Sequence, residues 1–219
     1  MDFNDVMRTT GAVRRFTDDP LPDEVIERIL DSARFAPTGG NRQGVRVIVI
    51  RDRETREKLV EFSMEAARRY TAQVRNGEEP WNPVQPMKVT PEQVAATEAT
   101  PYTPFLTAGA VLAVVVDLNV CAAFDQYLDR IGLICGASVY PFVWSVLLAA
   151  RNEGYGGVLA TVAVAEEPRV KELLGIPDDY AVAALLPIGK PYKQVRKLTR
   201  KSVAEIATSE RFDGAPFGV

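Results

Sequence analysis

The 219-residue sequence contains no histidine and only two cysteines, Cys121 and Cys135. Without an imidazole the chain cannot form a Ser-His-Asp triad, a Cys-His dyad or an HExxH zinc site. Two cysteines are too few for a disulfide framework or a cysteine-rich metal site. Both lie in apolar stretches, where a buried free thiol is the simplest interpretation. We therefore expect no metal, and if the protein is an enzyme we expect its chemistry to come from an organic cofactor or from carboxylates.

The sequence also lacks a strong net charge. It has 26 Lys and Arg residues against 29 Asp and Glu residues, which gives a net charge of -3. Such a balance provides no whole-protein field to attract nucleic acid or an anionic membrane. The first residues, MDFNDVMRTTGAVRRF, contain no apolar core of a signal peptide. We therefore expect a cytoplasmic protein whose partners include neither nucleic acid nor membrane.

Charged residues are absent from Ile131 to Ala150, a stretch about as long as a membrane span. Pro141 lies in its middle and no second span exists, so a membrane helix is disfavoured. The pattern instead predicts one long helix that is buried on all sides, in a core or in a subunit interface. Its small residues would form one face where another helix comes close: Gly132, Gly136, Ala137 and Ser138.

Apolar runs predict buried strands at Val45–Ile50, Val111–Asp117 and Ala181–Gly189. Helical periodicity predicts helices at about 2–9, 22–35, 52–69 and 166–174. Because strands and helices interleave without a linker, we expect one α/β or α+β domain over residues 1–219. Six prolines interrupt residues 76–106. This segment is predicted to be an irregular excursion with one short helix around Glu92 to Ala99.

Four segments could carry chemistry, and each also has a plain structural interpretation. Arg14 and Arg15, near Arg8, are either an exposed charge pair or cations for an anionic ligand. The turn PTGGNRQ, residues 37–43, is either a simple connection or a place where backbone and amides approach a ligand. The turn GYGG, residues 154–157, matches neither GxGxxG nor GxxxxGK[ST]. The basic run RKLTRK, residues 196–201, is either a tail in solvent or on nucleic acid, or a phosphate grip.

Taken in order, these segments resemble the FMN-dependent nitroreductase family. The matching segments are MRTTGAVRRF, ARFAPTGGNRQG, LLAARNEGYGG, LLGIP, LLPIGKP and RKLTRKSVAEI. The resemblance implies an α+β fold of three-layer α/β type, with a central, mostly antiparallel sheet flanked by helices. It also implies an intertwined homodimer with two FMN molecules at the interface, whose core the charge-free helix would form.

The resemblance further implies roles for single residues. Arg14 would lie beside the flavin pyrimidine and ribityl chain. The turn that closes the flavin from the other subunit would comprise Pro37, Thr38, Gly39 and Asn41, with Gln43 a further candidate. The backbone near flavin N5, the atom that receives hydride, would be that of Gly156, Gly157 and Val158. The phosphate would be held by Arg200 and Lys201, with Lys197 and Arg8 as further candidates. No catalytic side chain is implied, because the flavin carries the chemistry.

One feature departs from the family pattern. The family often has Arg-Ser where this sequence has Gly11 and Ala12. A guanidinium and a hydroxyl are therefore missing, and phosphate binding would rely more on backbone amides and the C-terminal cations.

The expected reaction has a ping-pong scheme, in which NADH or NADPH reduces FMN and a nitroaromatic, quinone or similar acceptor then binds. The excursion at 76–106 is the expected substrate lid, and five aromatic residues are candidates to contact the substrate: Trp81, Tyr102, Phe105, Phe124 and Tyr127. Two alternatives stay open. One is a specialised flavin chemistry without nicotinamide, such as dehalogenation or dehydrogenation. The other is a non-enzymatic protein that binds an anion or nucleic acid.

Overall fold

The computed structural model describes residues 1–218, which form helices around one four-stranded sheet. The helices are α1 (Phe3–Thr9), α2 (Asp23–Ala33), α3 (Arg53–Arg75), α4 (Pro91–Ala95), α5 (Pro104–Thr107), α6 (Tyr140–Asn152), α7 (Glu167–Leu174) and α8 (Val203–Ile206). The strands are β1 (Val45–Ile50), β2 (Ala110–Asp117), β3 (Gly156–Gly157) and β4 (Tyr180–Gly189). Their order is β1-β2-β4-β3 and every pair is antiparallel. The predicted α+β fold with an antiparallel sheet is thus confirmed.

The sheet has a separate hydrophobic core on each face. β2 alternates its side chains between them, so Leu112 and Val114 join one core while Val111 and Ala113 join the other. Helices α2 and α6 cover the first face, and α3 and α7 cover the second. Because both faces are covered, β2 and β4 are apolar almost throughout, which is why their positions could be predicted from sequence.

The charge-free stretch does not form the long helix that its composition predicts. α6 begins only at Tyr140 and is preceded by a 3-10 turn at Ile134–Ser138. Pro141 takes the first turn of α6, where the missing N–H leaves no hydrogen bond unmade. Ile131 and Leu133 lie in a loop and are 61% and 67% exposed in the single chain, so the prediction of a helix is wrong there. Within residues 1–218, no helix combines the length and apolar character needed to cross a membrane.

A single carboxylate, that of Glu78, makes four hydrogen bonds at the start of the excursion after α3. Glu78 accepts hydrogen bonds from the backbone N–H groups of Lys88 (3.0 Å) and Val89 (3.1 Å) and from the amides of Asn76 (2.8 Å) and Gln73 (3.3 Å). These bonds, with that of Lys88 the strongest, lower the pKa of Glu78 to about 2. The segment is therefore ordered against α3, and the short helix predicted in it is α4.

Candidate functional site

An N-terminal loop follows α1 and lies along the glycines of β3. The Val13 N–H donates to the Gly157 carbonyl (2.9 Å), and the Tyr192 N–H donates to the Arg15 carbonyl (3.0 Å). These bonds fix the backbone on both sides of Arg14, whose side chain is exposed. The structure therefore brings the segment of Arg14 beside Gly156 and Gly157. These two predicted parts of the site are more than 140 positions apart in sequence.

Glycine is required at both positions of β3. A Cβ atom on Gly156 would lie 2.7 Å from Cγ2 of Val13, and one on Gly157 would lie 2.7 Å from the Pro187 carbonyl oxygen. Both distances are shorter than real Cβ contacts allow. The N-terminal loop can approach the sheet edge only because these side chains are absent. Val158, the third residue predicted here, is buried.

The C-terminal tail packs onto the position where the family pattern changes. A Cβ atom on Gly11 would lie 2.9 Å from Cδ2 of Leu198 and 3.3 Å from Cγ1 of Val195. Leu198 therefore occupies the space that a side chain at position 11 would need. The tail can pack here because position 11 is glycine, since an arginine at that position would have to displace Leu198.

Two cavities lie along the segment from α1 to this loop, and both are lined by cations. Arg8 and Arg200 line the first, of about 330 Å³, together with Trp144 and Leu198. Arg14, Arg15 and Lys193 line the second, of about 370 Å³, together with Ala12, Val13, Tyr192 and Val195. No acidic side chain is among the residues that line either cavity. Such a set of donors without a carboxylate suits an anionic ligand.

The tail residues predicted from the basic run are not all in the same place. Arg200 faces the first cavity, while Lys197 lines a different one formed by residues 193–197. Lys201 is exposed and lines none of these three cavities. Sequence reasoning also missed Trp144, Tyr192 and Lys193. The last two follow the LLPIGKP segment directly, which was the available signal.

The five aromatic residues predicted to contact substrate fall into different environments. Phe105 is fully buried in the core beside α3, which argues against any contact with substrate. The ring of Trp81 lies on the Arg69 guanidinium (3.9 Å) and its Nε1 donates to the Ala66 carbonyl on α3 (3.4 Å). Phe124 and Tyr127 are each 90% exposed on the loop between β2 and α6.

Tyr102 links the excursion to the loop that carries Arg14. Its ring packs edge-on against Phe105 with centroids 4.9 Å apart. Burial raises the pKa of Tyr102, and the neighbouring Arg14 guanidinium lowers it in part. Among the predicted substrate residues, Tyr102 is thus the one whose pKa the Arg14 guanidinium affects.

The PTGGN turn is compact and exposed. Gly40, Asn41 and Gln43 all have positive φ angles (60°, 53° and 50°), a backbone conformation that glycine and asparagine tolerate best. The Thr38 hydroxyl accepts from the Gln43 N–H (3.0 Å), and the Gly39 N–H donates to Oγ of Ser138 (3.3 Å). These bonds leave the Asn41 side chain at the surface.

In one chain this turn lies far from Gly156 and Gly157. The turn leads into Val45, which pairs with Val116 of β2, whereas Gly157 pairs with Ile188, the partner of Ala110. From Ala110 to Val116 a strand rises about 20 Å. The two groups of predicted residues therefore occupy opposite ends of the sheet and do not form one site within a single chain.

The family model "Nitroreductase family" matches residues 7–190. The chain belongs to the nitroreductase family.

Named relatives carry different activities. An iodotyrosine deiodinase from Nematostella vectensis is 29% identical over 210 residues, covering 94% of this chain and 74% of that protein. A nitrobenzene nitroreductase from Ectopseudomonas oleovorans is 24% identical over 207 residues, covering 85% of this chain and 86% of that protein.

Solved structures share the fold at low sequence identity. Oxidized iodotyrosine deiodinase bound to FMN and 3-iodo-L-tyrosine has a TM-score of 0.67 at 20% identity, covering 91% of this chain and 95% of that one. The NADPH:FMN oxidoreductase from Vibrio harveyi complexed with NAD+ has the same TM-score and identity, covering 94% and 76%.

Proposed function

We propose that the protein is a homodimeric FMN-dependent oxidoreductase. NADH or NADPH is the electron donor, and a nitroaromatic, a quinone or a similar small acceptor receives the electrons in a ping-pong scheme. The observation that carries the proposal is the position of Arg14, fixed beside the Gly156–Gly157 backbone and next to cavities lined by cations without a carboxylate.

The residues present fit FMN. Its phosphate is an anion, which Arg8 and Arg200 can hold by charge-assisted hydrogen bonds. The loop that carries Arg14 is bonded to the buried Gly157 backbone, so Arg14 supplies a permanent positive charge at this edge of the sheet, where a flavin ring would lie. When bound, FMN supplies the two-electron chemistry, because it is a cofactor that accepts and donates hydride. The side chains of this histidine-free chain bind and orient, and the Arg14 cation favours added negative charge on the ring.

A second copy of the chain accounts for the exposed apolar residues. Large side chains that are 41% to 101% exposed occur on α1, α6, α8 and the C-terminal segment: Phe3, Met7, Tyr140, Trp144, Val203, Ile206, Phe212 and Phe217. We assign these side chains to a subunit interface, which would remove them from water. A two-fold dimer would also bring the turn at 37–43 of one chain to the Gly156–Gly157 end of the other, as the family resemblance implies.

The first test is the cofactor itself. Purified protein should be yellow, and mass spectrometry of the heat-released ligand should identify FMN. A colourless protein that binds no FMN would contradict the proposal, and nucleic-acid binding by such a protein would favour the non-enzymatic alternative.

The second test addresses Arg14. With FMN saturating, Arg14→Gln should lower the two-electron reduction potential by about 30 mV for each 1.4 kcal/mol of lost stabilisation of the reduced state. The matched control is Arg46→Gln on the exposed side of β1. An unchanged potential in Arg14→Gln would place Arg14 away from the ring.

Reductive dehalogenation is the second candidate function, because the similarity to iodotyrosine deiodinase extends over 94% of this chain. Two assays separate the candidates. Steady oxidation of NADH or NADPH with nitrobenzene or a quinone supports the first. Release of iodide from 3-iodo-L-tyrosine with a chemical reductant, without turnover of nicotinamide, supports the second.

A further inference from the structure

Both cysteines of the chain lie in the connection between β2 and α6, residues 118–139. Cys121 follows the 3-10 turn Leu118–Val120, and Cys135 lies in the 3-10 turn Ile134–Ser138. Both thiols are free and half-buried. The proposed flavin chemistry uses neither of them. We call residues 121–135 the cysteine loop.

Asp125 holds the two ends of the cysteine loop together. Its carboxylate is only 4% exposed and accepts from the N–H groups of Leu133 (2.7 Å) and Ile134 (3.3 Å). It also accepts from Nη1 of Arg130 (2.8 Å). Backbone a few residues after Cys121 is therefore fixed to backbone directly before Cys135.

Gly39 of the PTGGN turn lies close to residues near both ends of the cysteine loop. A Cβ atom on Gly39 would lie 3.4 Å from Oγ of Ser138 and 3.8 Å from Cβ of Ala122. Ala122, next to Cys121, and Ser138, three residues after Cys135, therefore both lie against Gly39. In agreement, the pKa of the Cys121 thiol is raised by burial and, to a lesser extent, by the Cys135 thiol and Asp117.

We propose that Cys121 and Cys135 form a reversible intramolecular disulfide that closes the cysteine loop. The oxidant is a small-molecule disulfide of the glutathione class. The thiolate of one cysteine attacks this disulfide, whose S–S bond breaks and releases one small thiol. The other cysteine then attacks the resulting mixed disulfide and releases the second small thiol. Two S–H bonds of the protein become one S–S bond, and the small disulfide, reduced by two electrons, leaves as two thiols with the two protons.

Closure would act on the exposed aromatic residues of the loop. Phe124 and Tyr127 lie between the two cysteines, and the base of the loop adjoins Gly39 of the PTGGN turn. A disulfide would restrict how far both side chains can move relative to that turn. Any effect on acceptor binding rests on the proposed function, whereas the pairing of the cysteines does not.

The experiment equilibrates the purified protein, with any cofactor it retains, in anaerobic buffers of stepped reduced-to-oxidised glutathione ratio. Remaining thiols are then blocked with N-ethylmaleimide. Intact mass should show one transition from a species with two adducts to a species with none and no attached glutathione. A tryptic map should link the peptides containing Cys121 and Cys135, which cleavage after Arg130 separates. Persistent adducts on both cysteines, glutathione on both, or a disulfide between two chains on a non-reducing gel would overturn the proposal.

Three variants sharpen the result. Cys121→Ser and Cys135→Ser should each stop at the glutathione mixed disulfide of the remaining cysteine. Asp125→Asn should weaken the anchor and require at least about a tenfold more oxidising buffer ratio to reach half closure, because the effective concentration of one thiol at the other falls. An unchanged midpoint in Asp125→Asn would overturn the assignment of Asp125 as the residue that sets the pairing.

Discussion

Arg56 on α3 connects the end of β1 to the two residues that precede β2. Its substitution tests how much these hydrogen bonds contribute to the free energy of unfolding. Its side chain is buried, and its guanidinium donates to the carbonyls of Ala108 (2.9 Å), Gly109 (3.0 Å) and Ile50 (3.3 Å). No carboxylate shares these bonds, and burial lowers the pKa of Arg56. Arg56→Met keeps most of the length of the side chain but removes all three donors.

The expected loss of unfolding free energy depends on which of these carbonyls still have a hydrogen-bond donor in the variant. Gly109 also accepts from Nη1 of Arg51 (3.2 Å), so Arg56→Met leaves chiefly the Ala108 and Ile50 carbonyls without this donor. Each buried carbonyl that loses its partner costs about 1–3 kcal/mol. Removing the desolvated charge offsets part of that loss. We therefore expect the free energy of unfolding to fall by about 2–4 kcal/mol.

The assay is urea unfolding followed by circular dichroism at one fixed protein concentration, because the proposed dimerisation would make the apparent stability concentration-dependent. At a slope of about 3 kcal/mol/M, the midpoint should fall by about 1 M. The matched control is Arg53→Met on the same helix, which removes only the exposed ion pair with Glu57 (2.8 Å) and should cost less than about 0.5 kcal/mol. Equal midpoints for the two variants would refute the assignment of Arg56 as a structural anchor.

Three further predictions concern the excursion, the sheet edge and the phosphate. Glu78→Gln should lower the melting temperature by a constant amount above about pH 4.5. The difference should shrink as the pH falls from 4.5 toward 2, because the pKa of Glu78 is lower in the folded state and the stabilisation by its ionised carboxylate is lost over this interval. Glu79→Gln is the control. Gly157→Ala should destabilise the fold by about 1–3 kcal/mol, since the new Cβ meets backbone at Pro187, whereas Gly132→Ala, with nothing within 4 Å, should be neutral in thermal unfolding. Arg8→Ala with Arg200→Ala should weaken FMN binding at least about tenfold in fluorescence titrations and riboflavin binding far less, since riboflavin has no phosphate; equal losses would exclude a phosphate role.

The elements with a strong pattern were predictable. The apolar runs of β2 and β4 and the periodicity of α2 predict their ends to within a few residues, because burial on both sheet faces leaves little freedom of composition. The prediction of one long helix over the charge-free stretch was wrong because the absence of charge does not distinguish a helix from an apolar loop. Pro141 lies where the helix begins. Proline is common in the first turn of helices, so its position could have indicated this start.

The site was predictable residue by residue but not as a geometry. Nothing in the spacing of Arg8 and Arg200 shows that they line one cavity, since that depends on Leu198 packing on Gly11. Phe105 and Tyr102 are three residues apart, yet one lies in the core and the other lies close enough to Arg14 for the guanidinium to lower its pKa. Such differences arise from tertiary packing, which a local pattern of aromatic residues does not encode.

The separation of the PTGGN turn from Gly156 and Gly157 has a thermodynamic consequence in the proposed dimer. A cofactor that touches opposite ends of two different chains binds only to the assembled pair, so cofactor binding and subunit association are linked equilibria. Every increment of affinity for the flavin is then also an increment of affinity between subunits. Dilution would release cofactor even when its own concentration is held constant, and the supply of flavin would set how much of the protein is assembled.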